Sequence, residues 1–191
     1  MGQNKAKEKA WGWVLRMMAG TLILAIIFGL ITELILGRVY SFYISLIILI
    51  IVIMIGVVSD TIGTAAAAAE LSPLNAKASR KVKGARKGVD LVKNADRVAN
   101  FCNDVVGDIT GIVSGGVAAV IVFNLAFYTQ ESELFLRTIL TAFVAALTVG
   151  GKAWGKYIAL RKSTEIMLNV GFLLTRLENF FSGKNKSEKN T

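Results

Sequence analysis

Asn100-Phe-Cys-Asn-Asp-Val-Val-Gly-Asp-Ile-Thr-Gly-Ile-Val-Ser-Gly-Gly116 opens an apolar run that continues to Phe127. Asp104 and Asp108 are four residues apart, and Asn100 precedes them by the same step. On an α-helix the three share one face. Gly107, Gly111 and Gly115 repeat at that interval in two overlapping G-x-x-x-G frames. Glycines so spaced let two helix backbones approach closely inside a membrane. Carboxylates within a membrane segment are costly and usually functional. The stretch predicts a helix that enters a membrane bundle with acids at its mouth and a packing stripe beyond. The alternative is that both acids sit in headgroup water and the glycines only pack.

Outward from that stretch, composition points the same way. Of 191 residues, 54% are hydrophobic and 18% charged. The apolar residues are gathered into long runs, which a soluble domain of this size rarely shows. The predicted class is all-α: a polytopic integral membrane helical bundle of about four spans plus a juxtamembrane amphipathic helix. One cysteine, Cys102, leaves no intrachain disulfide and no cysteine metal cluster. The absence of His removes imidazole zinc sites, Ser-His triads and His proton relays. No nucleophile–base constellation stands in the sequence, so neither enzyme activity nor a resident cofactor is expected. The net charge of +9 does not imply nucleic acid, because the basic residues flank the apolar runs.

Residues 1–10 form a basic tail, and Trp11, Trp13 and Arg16 mark a membrane interface. The first transmembrane helix is placed at 11–37, where Met17 to Leu36 gives roughly the 20 residues a span needs. Glu33 and the lack of a small-x-small site favour a span over a signal peptide. A turn with interfacial aromatics, Gly37 to Tyr43, precedes the second span at 41–69. Its Ile/Leu/Val run, Ile44 to Val58, passes into Ser59-Asp-Thr-Ile-Gly-Thr64 and then five alanines. Ser59, Asp60, Thr61 and Thr64 offer the oxygen ligands that hard cations want. They fit an ordinary polar helix end equally well. Ser72-Pro73 is expected to stop the helix.

Segment 70–99 carries Lys77, Arg80, Lys81, Lys83, Arg86, Lys87, Lys93 and Arg97, with Val82, Ala85, Val89 and Val92 at helical spacing. It reads as helix on the membrane surface, touching anionic lipid headgroups across 77–97. The third span is placed at 100–128, an acidic turn at 129–133 and the fourth span at 134–156. Gly151 and Gly155 are again four apart. Ile166, Val170, Leu173, Leu174, Leu177 and Phe181 make one apolar stripe, predicting an amphipathic helix over 163–181. The Lys-, Ser- and Asn-rich tail 182–191 is expected to be disordered. All Lys and Arg except Arg38 and Arg137 fall on one side of this layout, which places both termini in the cytosol of a multi-pass cell-membrane protein.

Three places, in this order, resemble the transmembrane domain of the CNNM/CorC magnesium transporter family. Ser59 to Glu70 with Ser72-Pro73-Leu74 is similar to its Ser- and small-residue-rich segment. Lys93-Asn-Ala-Asp-Arg97 with Cys102-Asn-Asp-Val-Val-Gly-Asp108 is similar to its basic loop and G-N-x-x-x-N helix, with Asp104 and Asp108 at the two Asn positions. Gly151-Lys-Ala-Trp-Gly-Lys156 is similar to its G-E-x-x-P-K, with Lys152 at the Glu and Gly155 at the Pro. The resemblance covers roughly residues 43 to 181, and the transmembrane domain it implies runs 41–162. It adds 11–37 in front and lacks the cytosolic CBS pair. It implies a homodimer that binds or moves Mg²⁺ or Na⁺. Carried over by position, the cation site would comprise Ser59, Asp60, Thr61, Gly63, Thr64, Asp104, Asp108, Gly151 and Lys152. Ser59, Asp104 and Asp108 would be ligands, and Gly107, Gly111, Gly115 and Gly155 would pack helices. The exchange at Lys152 implies a second reading: a membrane scaffold or regulatory subunit in which this ammonium replaces the cation.

Overall fold

A computed structural model describes residues 2–36, 42–129 and 133–187, and all regular structure among them is helical. The elements are α1 (Gly2–Leu36), α2 (Phe42–Ala68), α3 (Leu71–Ser79), α4 (Ala85–Lys93), α5 (Ala95–Ala99), a π-helix (Asn100–Val106), α6 (Gly107–Thr129), α7 (Glu133–Arg161) and α8 (Ser163–Ser187). Four helical stretches are long and apolar enough to cross a membrane: Val14–Ile31, Phe42–Ala68, Ala95–Phe123 and Arg137–Arg161. α1 takes in the basic tail, and α8 runs past 181 to Ser187. The turn expected at 37–43 is outside the described residues up to position 41. So are 130–132 of the acidic turn, residues 188–191 of the tail and the side chain of Glu33.

The chain divides into two compact units, residues 1–53 with 108–147 and residues 54–107 with 148–191. In the first, no residue of Val14–Ile31 is buried. α6 buries Ile109, Val113, Val117 and Ile121 with Thr110, Ser114, Ala118 and Val122, two adjacent rows at helical spacing. Ser114 Oγ donates to the Gly111 carbonyl at 2.9 Å, so this hydroxyl is satisfied within its own helix. Gly111 and Gly115 lie off those rows. They are exposed, and a Cβ at either would meet nothing within 4 Å.

The second unit is built around Leu74, Val89, Val92 and Met167, joined by Ala65, Ala66 and Ala159. Full burial of a Leu or Met contributes about 1.5–3 kcal/mol. α2 stops at Ala68, Glu70 is extended, and Pro73 falls in the first turn of α3. There its missing N–H costs no intrahelical bond. Proline thus begins the next helix as much as it ends the last. α3 closes with Val82 N–H donating to the Lys77 carbonyl and Lys81 N–H to the Ala78 carbonyl, both at 3.0 Å. This is a Schellman closure with Lys81 in the left-handed position (φ 55°). That conformation costs a non-glycine residue about 1 kcal/mol. Gly84 (φ 83°) then turns the chain into α4.

α4 buries Ala85, Gly88, Val89 and Val92 and leaves Arg86 and Lys93 exposed, whereas Val82, expected on the same face, is exposed in the turn before the helix. Its crossing with α8 is set by glycines that spacing did not single out. A Cβ on Gly171 would strike the Gly84 carbonyl and stand 2.7 Å from Gly88 N. One on Gly88 would stand 3.0 Å from the Met167 carbonyl. Backbone meets backbone here. Lys87 Nζ and Glu178 Oε1 add an ion pair at 2.6 Å across the crossing. The carboxylate, first by its hydrogen bond and then by its charge, raises the Lys87 pKa above the usual lysine value. The stability this shift contributes is fully present below the usual lysine value and lost only as the pH rises through the raised pKa.

Candidate functional site: a buried carboxylate between α2, the π-helix and α7

The C-terminal part of α2 meets two neighbours within the second unit. Gly151 and Gly155 of α7 face Val57 and Thr61 of α2. A Cβ on Gly151 would be 2.9 Å from Val57 Cγ2, and one on Gly155 would strike Thr61 Oγ1. The four-residue glycine step therefore does what its spacing predicts at this helix pair. Thr61 Oγ1 donates to its own Val57 carbonyl at 2.7 Å, so it serves the helix. Thr64 is partly buried.

The π-helix is the second neighbour. It bonds i to i+5, with Gly107 N–H reaching the Cys102 carbonyl. Such turns recur at functional sites. They also break the four-residue register, so the stripe expected of Asn100, Asp104 and Asp108 is not a helical stripe here. Asp104 is exposed. Asp108, also exposed, belongs to the other unit. The side chain turned toward α2 is Asn103. Its Oδ1 occupies the place a Cβ on Gly63 would need. Ser59 Oγ donates to the Cys102 carbonyl at 2.9 Å and ties α2 to the π-helix.

Asp60 sits among these contacts. It is 3% exposed. Lys156 Nζ stands 3.4 Å from its Oδ2, an ion-pair distance off hydrogen-bond geometry, so Oδ2 is buried with no hydrogen-bond donor. Asn103 Oδ1 is likewise buried without a donor. Unsatisfied acceptors of this kind cost about 1–3 kcal/mol each, and more when charged. Lys152, by contrast, reaches the Gly107 carbonyl at 3.4 Å. Lys152 thus contacts backbone, and the ammonium that stands beside an acid is that of Lys156, one turn on.

The structure thus brings together Ser59, Asp60, Thr61, Gly63, Gly107, Gly151, Lys152 and Gly155 of the expected residues, and adds Asn103 and Lys156. Asn103 is one residue before Asp104. Lys156 is four after Lys152 on the same helix face, the signal that could have found it. Among the described residues no three His, Cys, Asp or Glu gather into a metal-holding group. The oxygen ligands here are one carboxylate, one amide oxygen, a hydroxyl and carbonyls, with the Lys156 ammonium beside the carboxylate and the Lys152 ammonium on the Gly107 carbonyl. Comparison with protein-family models, curated proteins and solved structures finds no match.

Proposed function

We propose that this chain is a multi-pass membrane protein with cytosolic termini that binds a cation between Asp60 and Asn103, in competition with the Lys156 ammonium. The observation that carries this reading is Asp60 Oδ2. It is a buried carboxylate oxygen with no hydrogen-bond donor, and its one close charge is on a side chain that is 51% exposed. A buried carboxylate needs compensation. Lysine on a long stem supplies it from the edge and can swing to solvent, leaving Asp60 Oδ2, Asn103 Oδ1 and nearby carbonyls for an ion. The exposed apolar faces of α1, α2 and α7, such as Ile23, Leu30, Ile51 and Phe143, support insertion in a lipid bilayer.

One carboxylate that already faces the Lys156 ammonium favours a monovalent ion, Na⁺, over Mg²⁺. Mg²⁺ holds its water tightly and is bound through one or two carboxylates without competing cations. Homodimerisation through the open Gly111–Gly115 face, as the CNNM/CorC resemblance implies, belongs to the same proposal. The second reading, a non-transporting scaffold or regulatory subunit, is favoured by the Lys156–Asp60 contact itself if the ammonium never leaves. Flux in proteoliposomes decides between them. Transport predicts Na⁺ uptake by wild type, abolished in Asp60→Asn. A scaffold predicts none in wild type. Mg²⁺ uptake that Asp60→Asn leaves intact would contradict both.

A further inference from the structure

We propose a second site, for a phosphate group, in the basic turn between α3 and α4. A cleft of about 340 Å³ is lined there by Lys81, Lys83, Arg86, Lys87 and Thr175. It shares Lys83 and Thr175 with a second cleft of about 520 Å³ that adds Phe172 and Arg176. Lys87 is matched by Glu178. Among the described residues Lys81, Lys83, Arg86 and Arg176 have no ion-pair partner. Cations converging on one concavity repel each other unless an anion joins them. The backbone nonetheless holds them there. The Schellman closure fixes Lys81 in a conformation that glycine would adopt more easily, and the Gly84–Gly171 contact clamps the turn against α8.

The chemistry of the lining selects the ligand class. Thr175 Oγ1 already donates to the Gly171 carbonyl at 2.8 Å, so the free donors are the ammonium and guanidinium groups. A planar guanidinium among ammonium groups suits a group with several charged oxygens, which is a phosphate monoester or diphosphate rather than a single carboxylate. No side-chain hydrogen bond caps the N-terminus of α4, and Arg86 and Lys87 of its first turn line the cleft. The site is independent of Asp60.

The test uses the full chain and hydrogen exchange of the segment 80–87. In neutral micelles the probe is inorganic pyrophosphate. In phosphatidylcholine nanodiscs it is phosphatidic acid, compared with phosphatidylserine at equal surface charge. Saturable protection by pyrophosphate identifies a soluble source, and protection by phosphatidic acid alone identifies a lipid headgroup. Lys83→Gln with Arg86→Gln should weaken binding about tenfold or more. Lys93→Gln with Arg97→Gln removes the same charge elsewhere on the basic segment and should change it little. All four side chains are exposed, so both variants should keep the wild-type helical melting curve. No protection of wild type with either probe overturns the site. Equal losses in the two double variants, or equal protection by phosphatidylserine, also overturn it, because diffuse charge would then suffice.

Discussion

Lys156 Nζ on α7 stands 3.4 Å from Oδ2 of Asp60 on α2, and the two ends of the pair differ tenfold in exposure, 51% against 5%. The carboxylate depends on the ammonium far more than the ammonium depends on it. Lys156→Gln should therefore destabilise the protein by about 1–3 kcal/mol, below the usual cost of stranding a buried charge because one end is wet. Asp60→Asn should cost less than half of that. Denaturant unfolding in micelles measures both. Equal losses would mean that the pair is an ordinary surface contact.

The α4–α8 crossing supplies a steric prediction. Gly171→Ala places a methyl group against the Gly84 carbonyl, which is backbone and cannot rotate away. A loss of about 1–3 kcal/mol is expected, the cost of overpacking a close contact. Gly111→Ala, with open space around it, should stay within about 0.5 kcal/mol. Thermal melts of the two variants beside wild type check the contrast.

The same open glycine face carries the dimer prediction. Gly111→Leu or Gly115→Leu should shift the protein from dimer to monomer in mild detergent while its helical content holds, since within one chain a Cβ at either position meets nothing within 4 Å. Light scattering coupled to size exclusion reads the mass. A wild type that is monomeric in every mild detergent rules the dimer out.

Orientation is tested by single cysteines in a Cys102→Ala background. A cysteine at Lys83 should react with an impermeant maleimide only after the cell is opened, and one at Glu131 in intact cells. The reverse pattern, or labelling of both from one side, would remove the four-span topology.

The helices were legible because long apolar runs and amphipathic stripes are local signals. The readings at 41–69, 100–128 and 134–156 meet α2 (Phe42–Ala68), the π-helix with α6 (Asn100–Thr129) and α7 (Glu133–Arg161). The site was legible only in its α2 and glycine parts. Ser59, Asp60 and Gly63 were picked out because a polar cluster ending an apolar run is visible without a partner, and the Gly151–Gly155 step because its interval is regular; both fall at the contact of α2 with its neighbours. The acids of the opening stretch misled, because equal spacing assumes an α-helix and a π-helix intervenes before Gly107. Lys156 and Asn103 were missed for a related reason: which of two neighbouring candidates faces α2 depends on helix rotation, a tertiary property. The Gly84, Gly88 and Gly171 crossing carries no regular interval at all.

The most direct test of the cation site is the melting temperature of Lys156→Gln as Na⁺ replaces choline at constant ionic strength. Removing the tethered ammonium leaves Asp60 for the free ion, so Na⁺ should stabilise this variant saturably, by about 2.7 kcal/mol at a hundred times its dissociation constant. Wild type should respond less, and Asp60→Asn combined with Lys156→Gln should not respond. A Lys156→Gln melting temperature that is flat in Na⁺, or a rise that persists without Asp60, contradicts the account.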